Sequence, residues 1–517
     1  MTGSTDVLPF VTARDIVWGT VSRRIVGPVS VDLRPGECWV ITGPNGSGKS
    51  ILTEILAGRR VPSAGTVTWP GLADAPEQRA AIVSFESQER LLSQERRADQ
   101  SAIMHGRTDP GHTVADMLDD GTDAARGLAA RFGIDHLYQR GLRFLSTGEL
   151  RKTVLAAAAA RDPNLLVLDE PYDGLDLKSR SELSRLIAEL HTSRRCLVLV
   201  LNRQSEVPPF ATHQMWLVRG IAITAGPVAT ALPPTNRPSA PPSAGSDARH
   251  ADPSNDPSND PSNDPSNDLS NGPSSHTSSH PDCPPGQALV VMRDVCLSYG
   301  PVAVLDRVTW TVRAEHRWLI VGPNGSGKST LLSLINADNP KAYGQEVYLF
   351  GRRKGSGESV WDIKQRIGYV SGGLQLSYPL RSTVREALLS GFYDSIGLFD
   401  EPTGYQREIA DRWASLIGLA GRGDTRLRDL SFGERRMVLI ARAMVKRPCM
   451  LIADEPCQGL DDEHTAQVLA LLDSIGFEHD TCLLYVTHNP DEQLRCITHR
   501  LDLVPGPEGS RAVCTQV

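Results

Sequence analysis

The feature that most constrains this chain is a glycine-rich octapeptide that occurs twice. Gly43-Pro-Asn-Gly-Ser-Gly-Lys-Ser50 recurs as Gly322-Pro-Asn-Gly-Ser-Gly-Lys-Ser329, at an offset of 279. Leu145-Ser-Thr-Gly-Glu149 recurs as Leu430-Ser-Phe-Gly-Glu434, and Leu165-Leu-Val-Leu-Asp-Glu-Pro171 as Met450-Leu-Ile-Ala-Asp-Glu-Pro456, both at an offset of 285. Three motifs in one order, with 285 − 279 = 6 residues of drift, mean a duplicated domain. Short apolar runs (38–42, 165–168, 196–201, 318–321, 450–453, 482–487) alternate with helix-like stretches. That alternation predicts an α/β fold with a mixed, mostly parallel sheet and helices packed on it.

The two copies are joined by a segment that cannot fold by itself. Residues 233–287 repeat Asp-Pro-Ser-Asn and hold almost nothing apolar to bury. The reading is domain 1 over 1–232, a disordered linker over 233–287 and domain 2 over 288–517. If flexible, 55 residues span about 40 Å r.m.s., enough for the domains to dock in any orientation. The linker carries seven Asp and two Arg, net −5 of the chain's −7, so the folded halves together are near neutral at −2. That balance provides no strong nucleic-acid footprint. No run approaches the roughly 18 apolar residues of a membrane span. The N-terminal residues do not read as a signal peptide. Nine cysteines without a C-x-x-C pair argue against a disulfide framework and a zinc site, and for a cytoplasmic protein.

G-x-x-x-x-G-K-[ST] after a strand is a phosphate cradle, whose backbone N–H groups and following helix N-terminus favour an anion. A glycine-rich turn is the plain alternative, and the paired downstream motifs outweigh it. In the first copy the cradle is Gly43, Pro44, Asn45, Gly46, Ser47, Gly48, Lys49 and Ser50. In the second it is Gly322, Pro323, Asn324, Gly325, Ser326, Gly327, Lys328 and Ser329, followed by Thr330. Lys49 and Lys328 are placed to reach β/γ-phosphates, and Ser50 and Ser329 to ligate Mg²⁺. Asp169 and Asp454 end apolar strands as further Mg²⁺ groups. The next residues, Glu170 and Glu455, suit orienting or deprotonating attacking water. Ser146-x-x-Glu149 and Ser431-x-x-Glu434 are capping boxes. Two readings stand for them: plain helix initiation, or helix N-termini presenting Ser146, Gly148, Ser431 and Gly433 to a γ-phosphate.

Together with Gly174–Asp176 and Gly459–Asp461, these motifs resemble the ATP-binding-cassette (ABC) family over both halves. The resemblance implies P-loop NTPase domains, each with a helical signature subdomain, pairing head to tail so that ATP and Mg²⁺ lie between one P-loop and the opposite signature. Phe350-Gly-Arg-Arg-Lys-Gly-Ser-Gly-Glu358, Trp361-Asp-Ile-Lys364, Leu201-Asn-Arg203 and Cys496-Ile-Thr-His-Arg500 are similar to the ModF/PhrA group of tandem cassettes, associated with molybdate transport or photorepair. His488 stands where the family keeps its switch histidine, and its counterpart is Asn202 (488 − 202 = 286). Asparagine can hydrogen-bond phosphate but cannot carry a charge. The expectation is therefore an asymmetric pair: a His488 site that turns over, and an Asn202 site that hydrolyses slowly.

Tyr299, 23 residues before Gly322, is placed to stack on adenine; Trp18, 25 before Gly43, is a looser match that is alternatively core. The glutamine usual after the next strand is not evident, since Gly372 holds that place in the second half and Glu86 and Gln88 lie in uncertain register in the first. Arg352-Arg-Lys354 reads as a solvated basic turn. Two functional classes remain open: an ATPase subunit docking on separate membrane permease subunits at the cytoplasmic face, or a soluble mechanochemical ATPase acting on ribosomes or nucleic acid. A nucleotide-gated scaffold fits less well with two intact glutamates.

Overall fold

The computed structural model describes residues 8–20, 23–71, 79–84, 91, 95, 111–118, 123–228, 283–300, 302–478 and 480–517. Each half is built around a six-stranded sheet with the same strand order. In the first half the order is Ala80–Ser84, Leu165–Asp169, Cys196–Leu201, Cys38–Thr42, His213–Val218, Ile221–Pro227. In the second it is Ile367–Ser371, Met450–Asp454, Cys482–Val486, Arg317–Val321, His499–Val504, Arg511–Gln516. The first five strands of each sheet run parallel and the last is antiparallel. Strands buried on both faces explain the unbroken apolar runs: every residue of Cys196–Leu201 and of Cys482–Val486 is buried.

A smaller antiparallel sheet covers one face of each core, with Val11–Thr20 between Arg23–Leu33 and Ala64–Thr68, and Ala288–Tyr299 between Val302–Arg313 and Glu346–Leu349. Helices cover the other face, so each half has two hydrophobic clusters separated by its parallel sheet. The helical subdomains include Asp123–Arg131 and Thr147–Ala160 in the first half, and Val384–Ser390, Gly404–Leu416 and Phe432–Met444 in the second. Among the described residues, no helix is long and apolar enough to cross a membrane.

Four expectations meet corrections or limits here. The linker lies outside the described residues except for 283–287, where Cys283 is buried and Gln287 accepts the Ala314 N–H. Cys283 is disulfide-bonded to Cys449, against the reading of the cysteines as unpaired. The partners are 166 residues apart, a contact that local spacing cannot reveal. Lys354 is not solvated: it is buried with its ammonium 5.4 Å from the Tyr343 ring centroid, while Arg352 and Arg353 are exposed. Its aliphatic stem packs inward, as long basic chains do when an aromatic face receives the head. Glu86 and Gln88 lie outside the described residues.

Candidate functional site

Each P-loop joins a core strand to a helix, Lys49–Leu56 or Lys328–Ile335. The residue before each helix, Gly48 or Gly327, has φ near +90° (92° and 91°), which a side chain rarely adopts. A methyl group on Gly48 would also press on Val26 and on the Ile25 carbonyl. These loops wrap the lysines: Lys49 Nζ donates to the Gly43 and Pro44 carbonyls at 2.7 and 3.1 Å, and Lys328 Nζ to Gly322 and Pro323 at 2.8 and 3.1 Å. Burial lowers both ammonium pKa values despite the nearby strand-end acids. Ser47 Oγ and Ser326 Oγ are buried without a hydrogen-bond partner. Partially desolvated cations and orphaned hydroxyls fit a cradle for a polyphosphate with its metal.

The strand-end acids sit as their spacing implies. Asp454 is pushed up to about 6, by burial first and then by Glu455, and Tyr369 donates its hydroxyl to it at 3.4 Å. Glu170 and Glu455 both adopt left-handed backbone conformations, with φ 53° and 49°. A non-glycine residue in that region costs about 1–3 kcal/mol, a strain the two halves share at the same place. Each glutamate is held from the end of the neighbouring strand: His488 Nδ1 lies 3.0 Å from Glu455 Oε1, and Asn202 Nδ2 donates to Glu170 Oε1 at 2.6 Å.

Equivalent geometry carries different electrostatics. Burial works against charge on His488, but its hydrogen bond and attraction to Glu455 outweigh that and leave its pKa raised. Burial, followed by the charges of Asp173 and Asp169, pushes Glu170 up to about 8. Position 458, the counterpart of Asp173 (458 − 173 = 285), is a neutral glutamine.

The halves meet at these loops. Asp461 Oδ2 accepts the Asn45 N–H at 2.6 Å, and Asp176 Oδ2 accepts the Asn324 N–H at 2.7 Å. The amides of the same asparagines donate across to the Gly459 carbonyl at 2.9 Å and the Gly174 carbonyl at 3.1 Å. Each P-loop is thus gripped by the opposite half's Gly-Leu-Asp loop. A single cleft at the junction is lined by Glu170 and Asn202 from one half and by Glu455 and His488 from the other.

The signature motifs form the expected capping boxes: Ser146 accepts the Glu149 N–H, Ser431 the Glu434 N–H, and the glutamates return the bond. Several neighbours escaped the sequence reading. Arg151 and Arg436, at the 285 offset, run from the signature helices to the Glu170 and Glu455 carbonyls at 3.3 Å each. Their recurrence was the signal that could have found them. Arg203, which the sequence marks only as part of Leu201-Asn-Arg203, reaches from the first half to Glu492 of the second. Gln375, three residues beyond Gly372, turns to the signature helix, donating to the Phe432 carbonyl at 3.0 Å and accepting from Arg436 at 2.5 Å. Tyr299 is half exposed with Lys341 Nζ 5.3 Å from its ring centroid, and Trp18 carries Arg60 at 4.7 Å. Strand pairing sets Trp18 opposite Val26 and Leu297 opposite Leu305 (297 − 18 = 279; 305 − 26 = 279), so the positional counterpart of Trp18 is Leu297, and Trp18 packs against the first core.

Known proteins resemble this chain along both halves. The family model described as ABC transporter matches residues 26–173 and 305–458. The ABC transporter ATP-binding protein ModF of Escherichia coli is 37% identical, over 94% of this chain and 95% of its own length. An uncharacterized ABC transporter ATP-binding protein of Schizosaccharomyces pombe is 29% identical, over 92% of this chain and 94% of its own. Among solved structures, the archaeal ribosome recycling factor aABCE1, in complex with the ribosomal stalk protein aP1, superposes with a TM-score of 0.57 at 18% identity, over 97% of this chain and 90% of that one. At that identity the likeness is one of fold.

Proposed function

The chain belongs to the ABC transporter ATP-binding family, and from that premise we propose that it binds ATP with Mg²⁺ at two composite sites, formed head to tail between its halves, and hydrolyses it there. The observation that carries this reading is the reciprocal grip of Asp461 on Asn45 and of Asp176 on Asn324. Such a grip makes each P-loop sense the opposite half. The two P-loops bind phosphate, with Tyr299 against adenine in the second half. Signature residues Ser146 and Gly148 complete the second P-loop's site, and Ser431 and Gly433 the first's. Ser50 with Asp169, and Ser329 with Asp454, would hold Mg²⁺, which supplies charge neutralisation at the phosphates.

In the site containing His488, Glu455 orients and accepts a proton from the attacking water, and the imidazole holds the carboxylate in place. In the other site Asn202 holds Glu170 without offering a charge, and burial with the neighbouring Asp173 and Asp169 shifts Glu170 towards its protonated form. A protonated carboxyl is a poor base, so that site binds ATP and turns it over slowly. The expected outcome is that Glu455→Gln removes most steady-state phosphate release, on the order of 10²-fold or more, whereas Glu170→Gln leaves most of it. The reverse pattern would overturn the assignment.

For the biological role we infer an energy-coupling subunit in the cytoplasm, acting with separate membrane permease subunits and of molybdate type; the likeness to ModF over 94% of this chain supports the transport reading. The exposed Leu380, Ile396 and Phe399 on the second helical subdomain offer such a subunit an apolar surface. Trapping the closed state with Glu170→Gln/Glu455→Gln and identifying what co-purifies tests this. Permease subunits are the expected catch; ribosomes or DNA would replace the transport reading with a mechanochemical one.

A further inference from the structure

The second signature serine has a partner that the first lacks. Ser431 Oγ accepts the Glu434 N–H at 3.1 Å and lies 3.2 Å from Nε2 of His464. Nδ1 of that imidazole is 2.7 Å from Asp461 Oδ1, which also accepts the His464 backbone N–H at 2.8 Å. The other oxygen of Asp461 accepts the Asn45 N–H of the first P-loop. One hydrogen-bonded chain therefore runs from the second signature to the first P-loop, the two walls of the Asn202 site. The imidazole also packs on Gly433, where a methyl group would overlap it. In the first half the equivalent position is Ser179 (464 − 285 = 179). There Asp176 accepts the Ser179 N–H, and Ser146 has its capping bond to Glu149.

The donor rules of this chain are strict. A carboxylate only accepts, so Nδ1 carries the hydrogen towards Asp461. In neutral imidazole Nε2 is then an acceptor, and the Ser431 hydroxyl must give it its proton. In imidazolium Nε2 donates to Oγ, and the hydroxyl proton is released to point elsewhere. We propose that His464 is a positioning residue of the Asn202 site, its proton deciding whether the Ser431 hydroxyl donates to the imidazole or to the phosphate held by the first P-loop. The proposal rests on the reading of the halves as paired ATP sites. It gives the site without a switch histidine a histidine on the opposite wall.

The charges facing His464 favour the protonated form. Its bond to Asp461 raises the imidazole pKa, burial opposes this, and Asp461, Glu463 and the signature helix's Glu434 add attraction. Glu434 is itself paired with Arg422 at 2.6 Å, and across the interface Lys49 faces Asp461. Below the raised pKa the hydroxyl is free for phosphate. As pH climbs through it, the hydroxyl turns to the imidazole and nucleotide affinity at this site falls.

The test is equilibrium binding of radiolabelled Mg-ATP to the full chain carrying Glu170→Gln/Glu455→Gln, from about pH 5.5 to about pH 9, which spans the imidazole range. These substitutions stop turnover and remove the titration of Glu170. We expect two ATP per chain, one of them losing about tenfold in affinity as pH rises, the scale of one charge-assisted hydrogen bond. Adding His464→Gln should flatten that profile, and so should Ser431→Ala, because the hydroxyl is what the proton redirects. A pH slope that survives both substitutions, or two ATP bound with no slope, overturns the role of His464 and leaves the paired sites standing. Fewer than two ATP bound overturns the paired sites and the proposal with them.

Discussion

At Asp461 one carboxylate is asked to do two things: hold the opposite P-loop through Asn45 and anchor His464 in its own half. Burial works against its charge, but the bonds from His464 and from the Asn45 and His464 N–H groups win, and its pKa is held down at about 2. The sign is that of a depressed acid. Its stabilising contribution is complete above the unfolded value of about 4 and is lost as pH falls through about 2. Asp461→Asn keeps the shape and removes the charge, so acid-unfolding curves of the variant should be flatter between those values than those of the wild type. Equal slopes would show that the carboxylate is not selectively stabilised by folding. The glycine before each P-loop helix is a second case where one residue decides. With φ at 92° and Val26 against it, Gly48→Ala should cost about 1–3 kcal/mol, read from urea unfolding.

The elements meet through loops that follow strands. Arg203 follows the strand Cys196–Leu201 and enters the second half, donating to Cys457 O, Leu460 O, Thr465 Oγ1 and Glu492 Oε1, the last at 2.9 Å. Its counterpart is Asn489 (489 − 203 = 286), which donates to Glu492 within its own half. The latch is therefore one-sided. Both side chains of the ion pair are mostly buried, and removing one partner of such a pair leaves an uncompensated charge. Arg203→Ala should weaken docking of the halves by about 3 kcal/mol, visible in X-ray scattering as expansion at lower urea than in wild type. Arg203→Lys should not restore it, since an ammonium cannot reproduce the guanidinium's spread of donors. Loss of no more than a few tenths of a kcal/mol would make this an exposed, screened contact instead.

For the whole molecule, the disulfide ties the chain entering the second half to the residue just before the strand Met450–Asp454 that carries Asp454. Closing a loop of that length restricts the unfolded chain by about 5 kcal/mol in the entropic account. Cys283→Ser, or reduction of the wild type, should lower the melting temperature of the second half's transition in calorimetry. An unchanged transition would show that the bond contributes nothing in solution.

The chemistry-bearing groups were legible in sequence because each is a contiguous stretch. A P-loop needs its glycines and lysine in a row, a capping box needs Ser and Glu three apart, and a doubly buried strand must be apolar throughout. Duplication supplied the register that matched Asn202 to His488, and the structure sets both against their glutamates. Residues that act across distance were not legible in this way. Arg203 on Glu492, Cys283 on Cys449, and His464 between Ser431 and Asp461 depend on docking or packing of segments far apart in the chain or on a side-chain direction that no local pattern encodes. The amino-acid sequence by itself determined two cassettes and the groups each brings, since local backbone chemistry is written in neighbouring residues. The sequence already set the sites apart at His488 and Asn202; only the tertiary structure brought Asp173, Arg203 and His464 to bear on that difference, because burial, charge and hydrogen-bond direction are set by what the fold brings against each group.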